Sequence, residues 1–171
     1  MNIFCYPKAL FRPQLCALLG IEAGFEPEFG YKPRIPLANG RGDRTEIDMK
    51  ISNILVEAKL TETGFQSAST DLLLRYRDFN DVFDFKELPI NLSTVSSYQL
   101  VRGILAAYAN DCIFMLFCDE RRVDLMDAWF SVVRAIYSYS FRSRLKILTW
   151  QEIARTLPSV PRRFLVEKYG I

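Results

Sequence analysis

The segment that most constrains this chain is Thr45 to Leu60, where apolar and charged residues alternate with period two on both sides of Ser52-Asn53. A tight turn at Ser52-Asn53 pairs Ile51 with Ile54. Counting outward then sets Asp48 across from Glu57 and Glu46 across from Lys59. Ile47, Met49 and Ile51 share one face with Ile54, Val56, Ala58 and Leu60, and the charges fall on the other. Two carboxylates facing each other oppose folding unless a proton or a cation compensates. A hard metal ion would do so. A plain solvated hairpin would show the same alternation, with Glu46 and Lys59 as a cross-strand ion pair worth under ~1 kcal/mol, so spacing alone leaves both readings open.

An acid on one strand followed by acid-any-Lys on the next is the signature of the PD-(D/E)xK nucleases, which this chain resembles through Asp48 and Glu57-Ala58-Lys59. It is similar, more closely, to a group of bacterial restriction-endonuclease-like proteins. In these an Arg-Thr-Glu-Ile-Asp-Met strand precedes a Val/Ile-Glu-Ala-Lys-Leu-Thr-Glu strand, as Arg44 to Glu62 does here. The likeness continues through Tyr98-Gln99-Leu100-Val101-Arg102, Leu148-Thr149-Trp150-Gln151-Glu152 and Lys168-Tyr169-Gly170-Ile171.

The resemblance implies a Mg²⁺-dependent endonuclease, with Mn²⁺ as a substitute, that hydrolyses phosphodiester bonds in DNA. Asp48, Glu57 and the main-chain carbonyl of Ala58 would be the metal ligands. Lys59 would orient the attacking water or stabilise the charge of the transition state, with Glu46 behind it. Gln99 resembles a helix glutamine that the RecB-like branch sets beside its site, although the Tyr that branch places four residues on is Gly103 here. Gln99 and Arg102 would equally suit a solvated helix face. Many relatives also supply an acid from the first helix, whereas residues 9–20 contain none, and Glu22, Glu26 and Glu28 follow it as candidates for a third acid. The same fold admits a branched-DNA resolvase, which would act as a homodimer. A catalytically weak nucleic-acid-binding or assembly module is the reading from another class.

Composition narrows the chemistry further. The 171 residues include no histidine, which excludes Ser-His-Asp and Cys-His hydrolases, His-metal nucleases and His-ligated zinc. With 22 basic and 20 acidic residues the net charge is only +2, so contact with DNA must come from local patches. Arg142, Arg144 and Lys146 form the best cluster, expected on one side of a strand, with Arg102 as a further phosphate contact. Cys5, Cys16, Cys112 and Cys118 are too widely spaced for CxxC pairs and read as buried thiols of a cytoplasmic protein. Arg12 and Pro13 interrupt the only early apolar stretch, so no membrane segment is expected, and no small-molecule cofactor is implied.

Helices are expected over residues 9–20, 68–79, 94–109 and 124–137, and strands over 29–35, 112–118 and 145–148 in addition to the hairpin. Residues 112–118 are apolar throughout, as a strand covered on both faces would be. Thr149 and Glu152 form a capping box, and a last helix over 161–169 ends at Gly170. Pattern alone gives one mixed α/β domain over residues 1–171. The resemblance implies a restriction-endonuclease-like core, with a mixed central sheet that starts as an antiparallel meander and continues by strand-helix-strand crossovers, flanked by helices.

Overall fold

The computed structural model describes residues 3–6 and 8–171. A 3₁₀ turn (Ala9–Phe11) leads into α1 (Pro13–Leu19), then β1 (Glu28–Tyr31), β2 (Arg34–Pro36), β3 (Gly42–Arg44), β4 (Ile47–Ile51) and β5 (Ile54–Ala58). Next come β6 (Ala68–Ser69), α2 (Thr70–Leu73), α3 (Phe79–Val82), β7 (Ile90–Asn91), β8 (Thr94–Val95) and α4 (Tyr98–Ala109). The chain closes with β9 (Ile113–Cys118), α5 (Val123–Arg134), α6 (Tyr139–Arg142), β10 (Leu145–Thr149), α7 (Trp150–Arg155) and α8 (Ser159–Tyr169).

Five strands form one mixed sheet in the order β1-β4-β5-β9-β10. The first three are antiparallel neighbours, and β9 and β10 continue the sheet parallel to β5. The hairpin has the expected register: Ile51 pairs with Ile54, Lys50 with Leu55 and Met49 with Val56. Ser52 takes the left-handed conformation (φ 53°) that a two-residue turn between strands demands. Beyond Met49 the Asp48 carboxylate takes over, its Oδ2 accepting from the Ala58 N–H at 2.8 Å.

Helices cover both faces of the sheet, so the charged face of the hairpin is withdrawn from water at Glu57 and Lys59. On one side Met49, Ile51, Ile54, Val56, Met115 and Phe117 pack with Leu15, Leu19, Trp150 and Ile153 from α1 and α7. On the other, Leu55, Phe114 and Leu116 pack with Leu100 and Ile104 of α4 and with Leu125 and Trp129 of α5. Ile47 joins this second cluster instead of the face of Met49 and Ile51. The alternation within β9 explains its unbroken apolar run, since each parity has a core to enter. Close approach of α4 depends on Gly103, where a Cβ would lie 2.5 Å from Phe114 Cζ.

Several elements differ from the expected ones. Pro13 cuts the first helix in two, because the residue before a proline is driven out of the helical region and Arg12 is extended. Residues 29–35 divide into β1 and β2, and β2 pairs with β3 as a separate hairpin. Residues 68–79 form β6 and only short helices, and Thr94 and Val95 lie in β8 of a small sheet ordered β6-β8-β7, so α4 begins four residues later than expected. The Thr149 and Glu152 capping box and the left-handed Gly170 stop (φ 67°) are present. The four cysteines are free, with Cys5 exposed and the other three buried. Among the described residues no helix is long and apolar enough to cross a membrane.

Candidate active site

The carboxyl end of β5, where α4 crosses it, gathers the ionisable groups that the hairpin brings to one face. Glu57 is 3% exposed and Lys59 7%. Lys59 Nζ lies 3.3 Å from Glu57 Oε1, and Gln99, in the first turn of α4, donates its amide Nε2 to the same oxygen at 2.5 Å. Burial, reinforced by the charge of Asp48, pushes Glu57 up to about 7 against the opposing pull of Lys59 and Arg102. Water that would solvate the carboxylate has been replaced by protein, and a second anion sits nearby. This part of the sheet therefore holds negative charge at a cost that a bound cation would remove.

The position of Lys59 is fixed from its backbone. Its N–H donates to the Phe117 carbonyl at 2.7 Å, and its carbonyl accepts from the buried Trp150 indole at 2.8 Å. The Phe65 ring lies 5.7 Å from the ammonium. Just downstream, Glu62 accepts from the N–H groups of Leu60 and Thr61, and Arg122 donates to the Glu62 carbonyl at 2.7 Å. Gln151 ties α7 to the end of β9 by donating to Asp119 at 2.9 Å and accepting from the Glu120 N–H at 3.0 Å. The Arg121 guanidinium beside Asp119 pulls that carboxyl down to about 2. Trp150 and Gln151 were not among the residues singled out for the site. The available signal was their place inside a matching segment remote from the hairpin, with Trp bearing an N–H that burial obliges it to use.

Asp48, Glu57, Ala58, Lys59, Gln99 and Arg102 come together; the other expected site residues do not. Glu46 has a 63% exposed side chain that pairs with Lys32 at 3.3 Å, leaving Lys59 to Glu57. Arg142 belongs to α6, and its guanidinium caps the carbonyls of Ile136 (2.7 Å) and Arg134 (2.9 Å). Arg144 caps the Cys112 carbonyl and pairs with Asp111, each at 2.7 Å. Only Lys146 lies in a strand, near Gly20 at the end of α1. The expected strand face of three cations is therefore not formed, because Arg142 caps carbonyls at the end of α5 and Arg144 caps one at the start of β9, whereas Glu57 lies beside Leu116 toward the other end of β9. Glu22, Glu26 and Glu28 are exposed, and the described residues include no group of three or more Asp, Glu, Cys or His placed to hold a metal.

Protein donors reach one oxygen of each carboxylate and leave the other open. Asp48 Oδ2 is bound to Ala58 N–H and Glu57 Oε1 to Gln99 and Lys59, while Asp48 Oδ1 and Glu57 Oε2 accept from no described residue. Gln99 Oε1 is buried and likewise lacks a partner. A set of hard, unclaimed oxygens beside two carboxylates suits Mg²⁺ or Mn²⁺, which keep several waters and take few protein ligands. The residues present thus fit one divalent cation. A search of curated proteins and one of solved structures found no match. The model of a family described as "Restriction Endonuclease associating with ARP" matches residues 1–170, and the chain belongs to that family.

Proposed function

We propose that this chain is a divalent-metal-dependent DNA endonuclease of the PD-(D/E)xK type, with Asp48, Glu57 and Lys59 as its catalytic set and Gln99 beside them. The observation that carries the reading is the convergence of Lys59 and Gln99 on one oxygen of buried Glu57, with Asp48 across the hairpin. Membership of a restriction-endonuclease family supports DNA as the substrate.

Asp48, Glu57 and the main-chain oxygen of Ala58 would hold the cation, which when bound neutralises phosphate charge and makes water more acidic. Two acids with no third from α1 support a single cation. The Lys59 ammonium supplies positive charge toward the oxyanion that develops in the transition state, a role that needs no change in its protonation. The Phe117 and Trp150 contacts keep its backbone in place, which limits the reorganisation left for the reaction. The unpartnered Gln99 Oε1 is an acceptor for the attacking water. Arg102 extends the positive potential along the α4 face toward the flanking phosphates.

The test is incubation of supercoiled plasmid and of a four-way junction with Mg²⁺, Mn²⁺ or a chelator. Metal-dependent cutting of plasmid is the expected result. Preference for the junction would assign the same site to branched DNA. Binding without cutting under either metal would refute the enzyme and leave a nucleic-acid-binding module.

A further inference from the structure

Beside this site the structure has a cleft of about 270 Å³ whose polar lining, Arg102 apart, has no part in the proposed hydrolysis. Asp43, Arg75, Tyr76, Tyr98 and Arg102 contribute its polar groups. It adjoins the catalytic residues by sequence and by charge. Tyr98 precedes Gln99, Arg102 lies one turn further along α4 and its charge reaches Glu57, and Asp43 lies in β3 five residues before Asp48.

Two tyrosine hydroxyls form a chain in the cleft that ends on Asp43. Tyr76 donates its hydroxyl to Asp43 Oδ2 at 2.7 Å, because a carboxylate only accepts. The Tyr98 hydroxyl, 2.7 Å from that of Tyr76, must then donate to it, since the single Tyr76 proton is already committed. Both phenol protons therefore point toward Asp43, and burial together with these two partners keeps Tyr76 protonated, well above the usual phenol range. Asp43 Oδ1 accepts from no described residue. The guanidinium of Arg102 lies over the Tyr98 ring at 5.4 Å, and neither it nor Arg75 forms an ion pair with a carboxylate among the described residues. The cleft thus presents one acceptor edge and two uncommitted cations within the space of a single nucleotide.

Resting on the endonuclease reading, we infer that this cleft binds one nucleotide of the substrate strand next to the scissile phosphate, with guanine as the preferred base. Arg75 and Arg102 take its phosphate, and Asp43 takes its base edge. Guanine's Watson–Crick edge carries two adjacent N–H donors that a carboxylate can accept together. Adenine, cytosine and thymine each turn at least one ring or carbonyl acceptor toward the carboxylate, which repels it. The edge being read is the one used in base pairing, so the nucleotide enters unpaired, at an end, a branch or an opened step.

The experiment is calorimetric titration of the full chain, in chelator, with dGMP, dAMP, dCMP, dTMP and deoxyguanosine. Wild type is expected to bind dGMP at least about tenfold more tightly than the other mononucleotides and than deoxyguanosine. Asp43→Asn keeps an acceptor for Tyr76 but offers the base an amide, and it should erase the preference for guanine. Arg75→Ala, at an exposed side chain, should weaken all four mononucleotides alike and leave deoxyguanosine unchanged. Equal affinity for the four mononucleotides, no binding of any, or unaltered dGMP binding by a folded Asp43→Asn would overturn the inference. Since no cutting is needed, a chain that prefers dGMP yet never cuts DNA retains the cleft and refutes the nuclease. A chain that cuts DNA without base preference does the reverse.

Discussion

Replacing Glu57 by Gln should stabilise the metal-free protein while abolishing its cleavage of DNA. Glu57 is pushed from an ordinary 4.5 to about 7 by burial and by Asp48. For an acid with a raised folded value, the neutral form is the one the fold favours. Its contribution is complete below pH 4.5 and is lost as the pH rises toward 7. The difference of 2.5 between those two values, at 1.36 kcal/mol each, makes folding with an ionised Glu57 about 3 kcal/mol less favourable at pH 8. That figure already contains the attraction of Lys59, so glutamine, which mimics the neutral acid, should recover about 2–3 kcal/mol. For a chain of this length the melting temperature should rise by roughly 5–10 °C. At pH 5, where wild-type Glu57 is largely protonated once folded, the advantage should shrink below ~1 kcal/mol. Urea unfolding of both proteins in chelator at pH 5 and pH 8 measures this. A variant no more stable than wild type at pH 8, or an advantage equal at the two values, would refute the reasoning that burial and Asp48 strain this carboxylate.

Three other perturbations test what holds the site. Trp150→Phe removes the N–H that the Lys59 carbonyl accepts in a buried setting, so thermal melts should show a loss of about 1–2 kcal/mol, and cleavage should slow at temperatures where the fold persists. Gly103→Ala adds a Cβ 2.5 Å from the ring of fully buried Phe114. Overpacking costs roughly 1–3 kcal/mol against a helix-propensity gain of about 1 kcal/mol, so chemical unfolding should show a net loss, and an equal or higher midpoint would mean that α4 and β9 are less tightly opposed than described. Asp119, held near 2 by Arg121, contributes stability that is present above pH 3.8 and lost as the pH falls toward 2. Because the Arg121 side chain is 60% exposed, the loss should be about 1 kcal/mol, seen in urea midpoints between pH 4 and pH 2 and absent from Asp119→Asn.

The hairpin was legible because two signals agreed at Ser52-Asn53: period-two alternation and turn chemistry. Register followed from counting, and with it the placing of Asp48 near Glu57. What the alternation could not say was whether the charged face met water or another layer, since this depends on α4, some forty residues away. Gln99 and Gly103 answer it in space, one reaching Glu57 and the other admitting Phe114. Val95 shows the converse failure. It continues the apolar stripe of α4 at helical spacing, yet the antiparallel partners Ala68 and Ile90 draw it into β8. Arg142 and Arg144 were misplaced for a related reason. Alternation of cations looks the same whether they face DNA or cap carbonyls of their own chain, and here the two guanidiniums donate to the carbonyls of Ile136 and Cys112. Glu46, opposite Lys59 on paper, lies beyond the last paired residues of the ladder and turns to Lys32.

The central claim is that Lys59 acts with Asp48 and Glu57 as a working site, and the most direct measurement is the rate of plasmid cleavage by wild type beside Lys59→Ala and Lys59→Met in Mg²⁺. Both substitutions should leave the circular dichroism of the fold unchanged and lower the rate by about 10² or more, the range expected for losing a preorganised charge at the transition state. Cutting by either folded variant at the wild-type rate would contradict the account and place the chemistry elsewhere in the chain.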